Sequence, residues 1–201
     1  MSHATKQIAG ETDLLHQADV KAAVADAYQA IDSGAGEAVV SRLYSDAERR
    51  LLPDGAVRWA LGVGNPVRRA GLKAGDTVLD IGSGGGIDSI LAAHLVGPTG
   101  RVIGIDVVDD MLARARANAA DAGVGDRCEF LRGEMEAVPL PANSVDVVIS
   151  NGVINLSPRK SRVLAEVYRV LRPGGRLAVA DLLVESELPL EVKTSEAAWA
   201  G

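Results

Sequence analysis

Apolar residues recur at three- and four-residue spacing over Val20, Val24, Ala27, Tyr28 and Ile31, one stripe of a helix that stops near Ser33-Gly34. Two turn signals follow, Leu51-Leu52-Pro53-Asp54-Gly55 and Gly62-Val63-Gly64-Asn65-Pro66. From Asp76 the pattern changes to short apolar runs alternating with helical stripes. Thr77–Ile81, Arg101–Ile105, Cys128–Leu131, Val145–Ile149 and Arg176–Leu183 read as strands. Between them, Ile87, Ile90, Leu91 and Leu95 mark a helix ending near Gly97-Pro98. A second opens at Asp109 or Asp110 and stops at Gly123. A third is predicted with Ser157 as N-cap and Pro158 at the first helical position, carries Val163, Leu164, Val167, Val170 and Leu171, and is closed by Pro173-Gly174-Gly175. Strands that are apolar almost throughout, alternating with helices, predict a mostly parallel α/β sheet of about five strands covered on both faces. The division expected is a helical N-terminal cap over residues 1–67 and an α/β domain over residues 68–201.

Composition narrows the chemistry. Hydrophobic residues make up 47% of the 201 positions, which excludes intrinsic disorder. The formal net charge of −6 and six scattered aromatics argue against nucleic acid as a partner. No stretch reads as a signal peptide or membrane span. The single cysteine, Cys128, forms no internal disulfide and suits a reducing cytoplasm.

The strongest chemical signal is Asp80-Ile-Gly82-Ser83-Gly84-Gly-Gly86-Ile-Asp88, where the first strand meets its helix. Glycines let the backbone turn tightly and approach a ligand beside the positive end of a helix dipole. The crevice outside the carboxyl ends of parallel strands is where such sheets bind ligands. Asp106 ends the second strand, where a carboxylate can accept two hydrogen bonds from a ribose. The alternatives are a plain tight connection and a dinucleotide site. The dinucleotide pattern is G-x-G-x-x-G, whereas this turn reads G-x-G-x-G with Asp80 ahead of it. A carboxylate there repels a pyrophosphate and attracts a cationic amino acid. A nucleoside joined to such an amino acid is S-adenosylmethionine.

The glycine turn, Asp106 and Leu171-Arg-Pro-Gly-Gly-Arg-Leu177 resemble the class I methyltransferases, whose sheet is Rossmann-like. Leu61-Gly-Val-Gly-Asn-Pro66, Leu95-Val-Gly-Pro-Thr-Gly100, Ala113-Arg-Ala-Arg-Ala-Asn118 and Ser150-Asn-Gly-Val-Ile-Asn-Leu-Ser-Pro158 resemble, more narrowly, the arsenite methyltransferase family. The likeness runs from about Val20 to Gly201. It implies a cofactor site made of Asp80, Gly82, Ser83, Gly84 and Gly86 at the methionine moiety and Asp106 at the ribose. Glu134 and Met135 would lie at the adenine edge, with Met111 on the adenine face. Ser150 and Asn151 would line the methyl-transfer cavity, and Tyr28 would help close the pocket. Solvated Glu134 and core positions for Met111 and Tyr28 are the plain alternatives. No acid–base pair stands out, no catalytic residue is assigned, and no metal is implied.

The sequence departs from this family in two respects. The family places thiolates, which bind soft trivalent arsenic, where Val63 and Gly152 stand here; a further family cysteine would follow Trp199-Ala200-Gly201. Cys128 lies outside these motifs and reads as a small buried hydrophobe. The resemblance also implies seven strands, of which the sequence through Gly201 supplies five, so the domain reads as C-terminally incomplete. The fifth strand is then an edge that a second copy or partner chain would cover. The expected activity is methyl transfer to a small-molecule acceptor. Two other readings remain: a non-catalytic S-adenosylmethionine-binding module that works with a partner, and a nicotinamide-dependent oxidoreductase.

Overall fold

The computed structural model describes residues 36–183. The helix expected over Val20–Ile31, Tyr28 within it, and Trp199-Ala200-Gly201 lie outside the described residues. Three short helices come first: α1 (Gly36–Leu43), α2 (Asp46–Arg49) and α3 (Asp54–Arg58). Ser45 caps α2 in a reciprocal box, its side chain accepting from the Glu48 N–H while the Glu48 carboxylate accepts from the Ser45 N–H. Pro53-Asp54-Gly55, expected as a turn, instead opens α3 with Pro53 as its N-cap. A proline ring already holds the φ that this position needs.

Then come β1 (Thr77–Ile81), α4 (Ile87–Val96), β2 (Arg101–Asp106), α5 (Asp109–Asp121), β3 (Cys128–Arg132), β4 (Val145–Asn151), α6 (Lys160–Val170) and β5 (Leu171–Ala180). The strands form one five-stranded sheet, in the order β3-β2-β1-β4-β5, with every pairing parallel. Alternate strand residues serve opposite faces. Val78, Val102 and Val147 pack with α4, α5 and the short helices, including Val40, Ala56, Ile90, Leu91 and Leu112. Leu79, Ile103 and Val148 pack on the other side against Val163, Val167 and Val170 of α6. Each large side chain so buried contributes about 1.5–3 kcal/mol, and this two-sided packing requires strands without a polar face.

Two boundaries differ from expectation. The Ser157 hydroxyl accepts from the Arg159 N–H and donates to Glu136, so it closes a local turn and α6 starts at Lys160. Pro173-Gly174-Gly175 does not close α6. The helix ends at Val170, Leu171 already pairs with Val145, and the ladder resumes at Val147–Arg176. The three residues bulge out within β5, where Gly174 takes φ 82°. β5 ends at Ala180, short of Leu183.

β1 pairs with β2 on one side and β4 on the other, so the strand order reverses at its carboxyl end. That opens a crevice beside the Gly82–Gly86 turn.

Candidate functional site

The turn after β1 is clipped to β2 from two directions. The Gly82 and Ser83 N–H groups both donate to the Ile105 carbonyl, at 2.9 and 3.0 Å. The Gly84 N–H donates to Asp106 Oδ2 at 2.9 Å, and the Val108 N–H to Oδ1 at 2.9 Å. Asp106 is thus aimed by the loop it faces. Burial raises its pKa, and the backbone N–H groups of Val108, Gly84 and Val107 pull the other way. Gly82 sits at φ 72° with the Val153 side chain 2.6 Å from where a Cβ would be, so conformation and space both demand glycine. A Cβ on Gly84, at φ 50°, would point into open space, so at this position only the backbone conformation calls for glycine.

Beneath the turn lie two buried carboxyls. Asp80 accepts from the Ser89 hydroxyl at 2.6 Å. Asp88 accepts from the Tyr44 hydroxyl at 2.9 Å and from the Asn151 amide at 2.9 Å. Asn151 also binds the 62–66 loop: its Oδ1 accepts from the Val63 and Gly64 N–H groups, and its Nδ2 donates to the Gly64 carbonyl. Its amide is therefore committed to holding that loop. The loop is close-fitted, since a Cβ on Gly64 would lie 2.6 Å from that of Ala180.

The remaining residues singled out from the sequence spread around this centre. Ser150 is buried and donates to the Ile81 carbonyl. The Ser83 hydroxyl is buried with no hydrogen-bond partner among the described residues. Met111 is buried at the start of α5. Glu134 is exposed and Met135 half-buried against the α6-side core, both just past β3. Val63 and Gly152 meet: a Cβ on Gly152 would lie 3.6 and 3.7 Å from the two Val63 methyls. Cys128 is half-buried against the core on the α4–α5 face, where burial pushes its thiol up to about 12. Sequence reasoning missed Asp88 and Tyr44 as site-building residues. Asp88 stood at the end of the glycine motif, whereas Tyr44 reaches it from 44 positions away with no local signal.

A family described as a methyltransferase domain matches residues 72–201. The chain belongs to this family. The methyltransferase domain is related both to arsenite methyltransferases and to carbon methyltransferases. It is 48% identical over 133 residues to an arsenite methyltransferase of Halobacterium salinarum, covering 66% of this chain and 34% of that protein. It is 42% identical over 116 residues to a ubiquinone/menaquinone biosynthesis C-methyltransferase of Hahella chejuensis, covering 57% of this chain and 46% of that one. Among solved structures it resembles an arsenic(III) S-adenosylmethionine methyltransferase from Chlamydomonas reinhardtii, with TM-score 0.68 and 39% identity over 77% of this chain and 55% of that chain. In these alignments the chain spans about a third to a half of its curated relatives' length. No helix among the described residues is long and apolar enough to cross a membrane.

The buried carboxyls give this methyltransferase domain a pH signature. Burial raises Asp80, with the nearby Asp88 charge adding to it; burial also raises Asp88, against the pull of Asn151 and Tyr44. The folded state then holds protons that the unfolded chain has released, so stability falls as pH rises from about 4, the unfolded value, through the raised folded values. Glu48 acts oppositely. Burial alone would raise it, but bonds from Arg68, Ser45 and Asn65 bring it down to about 2, so its contribution is lost as pH falls. Urea unfolding should therefore show declining stability from about pH 5 to 8. Asp80→Asn, which still accepts from Ser89, should flatten that decline, and an unchanged slope would remove Asp80 as its source.

Proposed function

We propose that this domain binds S-adenosylmethionine in the crevice between the glycine turn and Asp106 and transfers its methyl group to a small acceptor. The observation that carries the reading is Asp106, held by the Gly84 and Val108 N–H groups at the carboxyl end of β2. A carboxylate fixed there still has accepting capacity for a ribose hydroxyl. The residues fit the ligand on a second count, because the buried Ser83 hydroxyl lacks a partner among the described residues and is a ready donor or acceptor for a polar ligand group. The Asp106 carboxylate, with the buried Asp80 and Asp88 carboxyls that a bound cation would help to ionise, suits a cationic amino acid. Glu134 and Met135 take the adenine edge, Met111 its face, and Ser150 with Asn151 the boundary towards the acceptor. Along the sequence the division is an N-terminal cap over residues 1–67 followed by the domain over 68–201.

When bound, S-adenosylmethionine supplies an electrophilic sulfonium methyl group. The protein's share is alignment and exclusion of water. Asn151 shapes the acceptor side by holding the Val63–Gly64 backbone, and Val63, Gly152 and Val153 give that side an apolar floor. With valine and glycine at 63 and 152, this floor provides no thiolate pair to hold arsenic, so the acceptor brings its own nucleophile.

Calorimetric titration with S-adenosylhomocysteine tests the cofactor reading, and absence of binding at millimolar ligand would end it. Methyl transfer from labelled S-adenosylmethionine to hydroquinones, and to arsenite with added thiol, tests the acceptor. The Val63→Cys/Gly152→Cys variant should gain binding of a trivalent arsenical that the parent chain lacks, despite about 1–2 kcal/mol of backbone strain at position 152. If the variant gains nothing, the two positions do not form one acceptor floor.

A further inference from the structure

We propose that Glu166 and Arg169 of α6 are positioning residues that set the Gly133–Met135 segment against the purine edge of the cofactor. The inference rests on the cofactor reading above. Glu166 is buried in a helix that otherwise turns valines to the core, and a carboxylate there needs partners. It has three: the Val138 N–H donates to it at 2.9 Å, Arg169 forms an ion pair with it at 2.7 Å, and Arg162 lies at 3.9 Å. The Arg169 guanidinium continues past the carboxylate to the Leu140 carbonyl at 2.7 Å and the Val138 carbonyl at 2.9 Å. Arg162 adds a bond to the Glu136 carbonyl at 3.0 Å, and the Ser157 hydroxyl one to the Glu136 carboxylate at 2.7 Å.

All these bonds converge on one stretch of chain, residues 136–140, immediately after Glu134 and Met135. At its other end the segment is tied to the ribose-side carboxylate's own backbone, since the Gly133 N–H donates to the Asp106 carbonyl at 3.0 Å. Between the two anchors, Glu134 pairs with Ala137 across a tight turn. The segment is thus strung between β2 and α6, with its exposed glutamate at the span's inner end. A planar, forked guanidinium is suited to this work because it binds two carbonyls and a carboxylate at once. Lysine in its place would satisfy fewer of them.

The test compares S-adenosylhomocysteine with S-inosylhomocysteine, in which the exocyclic amine is replaced by an oxygen that a carboxylate repels. Calorimetry on the full chain should show the adenosyl ligand bound about 10- to 100-fold more tightly, the range for a hydrogen bond to a charged group. In Arg169→Ala that preference should shrink to within a few-fold while the inosyl ligand keeps its affinity. Arg169→Lys should restore part of it. Glu166→Gln, which keeps an acceptor for Val138, supplies the same readout if Arg169→Ala does not fold. Equal weakening of both ligands, or an unchanged preference in a folded variant, would overturn the proposal. A parent chain that binds both ligands alike would overturn it and leave the cofactor reading standing. One that binds neither would remove the cofactor reading itself.

Discussion

Replacing Asp106 with alanine is expected to weaken S-adenosylhomocysteine binding by about 1–3 kcal/mol, roughly 5- to 150-fold in dissociation constant. Two losses add. The carboxylate that would accept from the ribose disappears, and the Gly84 and Val108 N–H groups it binds at 2.9 Å lose their acceptor. The second loss loosens the turn at the residue where a Cβ would face open space. Asp106→Asn separates the two contributions: it keeps an oxygen for one backbone donor and replaces the other with an amine. Its affinity should fall between that of the parent and that of alanine. Unchanged affinity in the alanine variant would mean that the crevice beside the glycine turn is not where the ligand sits.

Asn151→Ala should cost more in stability than any other single truncation around the site, about 3–4 kcal/mol in urea unfolding. One side chain serves the Val63 and Gly64 N–H groups, the Gly64 carbonyl and Asp88. Alanine leaves each of them without this partner and empties the space against Gly62 that the amide now fills. Asn151→Asp should be nearly as damaging, because it sets a further carboxylate against Asp88, which then loses its amide donor. A loss under about 1 kcal/mol would show that water replaces the amide, and that the loop is not held as described.

β1, β2 and β4 were legible because burial on both faces leaves a run of Val, Ile and Leu, whereas the edge strands β3 and β5 are only partly buried and were legible from shorter apolar runs between turn signals. The glycine turn was legible for a different reason: positive φ and close approach admit few residue types, so Gly82 and Gly84 are written into the sequence by necessity. The start of β5 was not. Pro173-Gly174-Gly175 carries the local signals of a break, and only pairing with β4 turns it into a bulge. Ser157 similarly offers an N-cap by local rules and is claimed by Glu136, 21 positions away. The carboxyl end of β4 reads as cavity lining, and no local signal shows that the Asn151 amide also holds a loop 87 residues earlier. Periodicity reports burial and glycine reports backbone shape. Neither reports which distant partner a polar side chain will find.

The hold that Asn151 has on the 62–66 loop has an evolutionary side. It grips Val63 and Gly64 entirely by main-chain groups, which are the same whatever the residue. None of these bonds depends on the side chain at position 63. A lineage can put a thiol there, or a hydrocarbon, and present either at the same place opposite position 152 without rebuilding its surroundings. Under the proposed reading, such an arrangement would let the acceptor chemistry change while the cofactor half of the domain stays untouched.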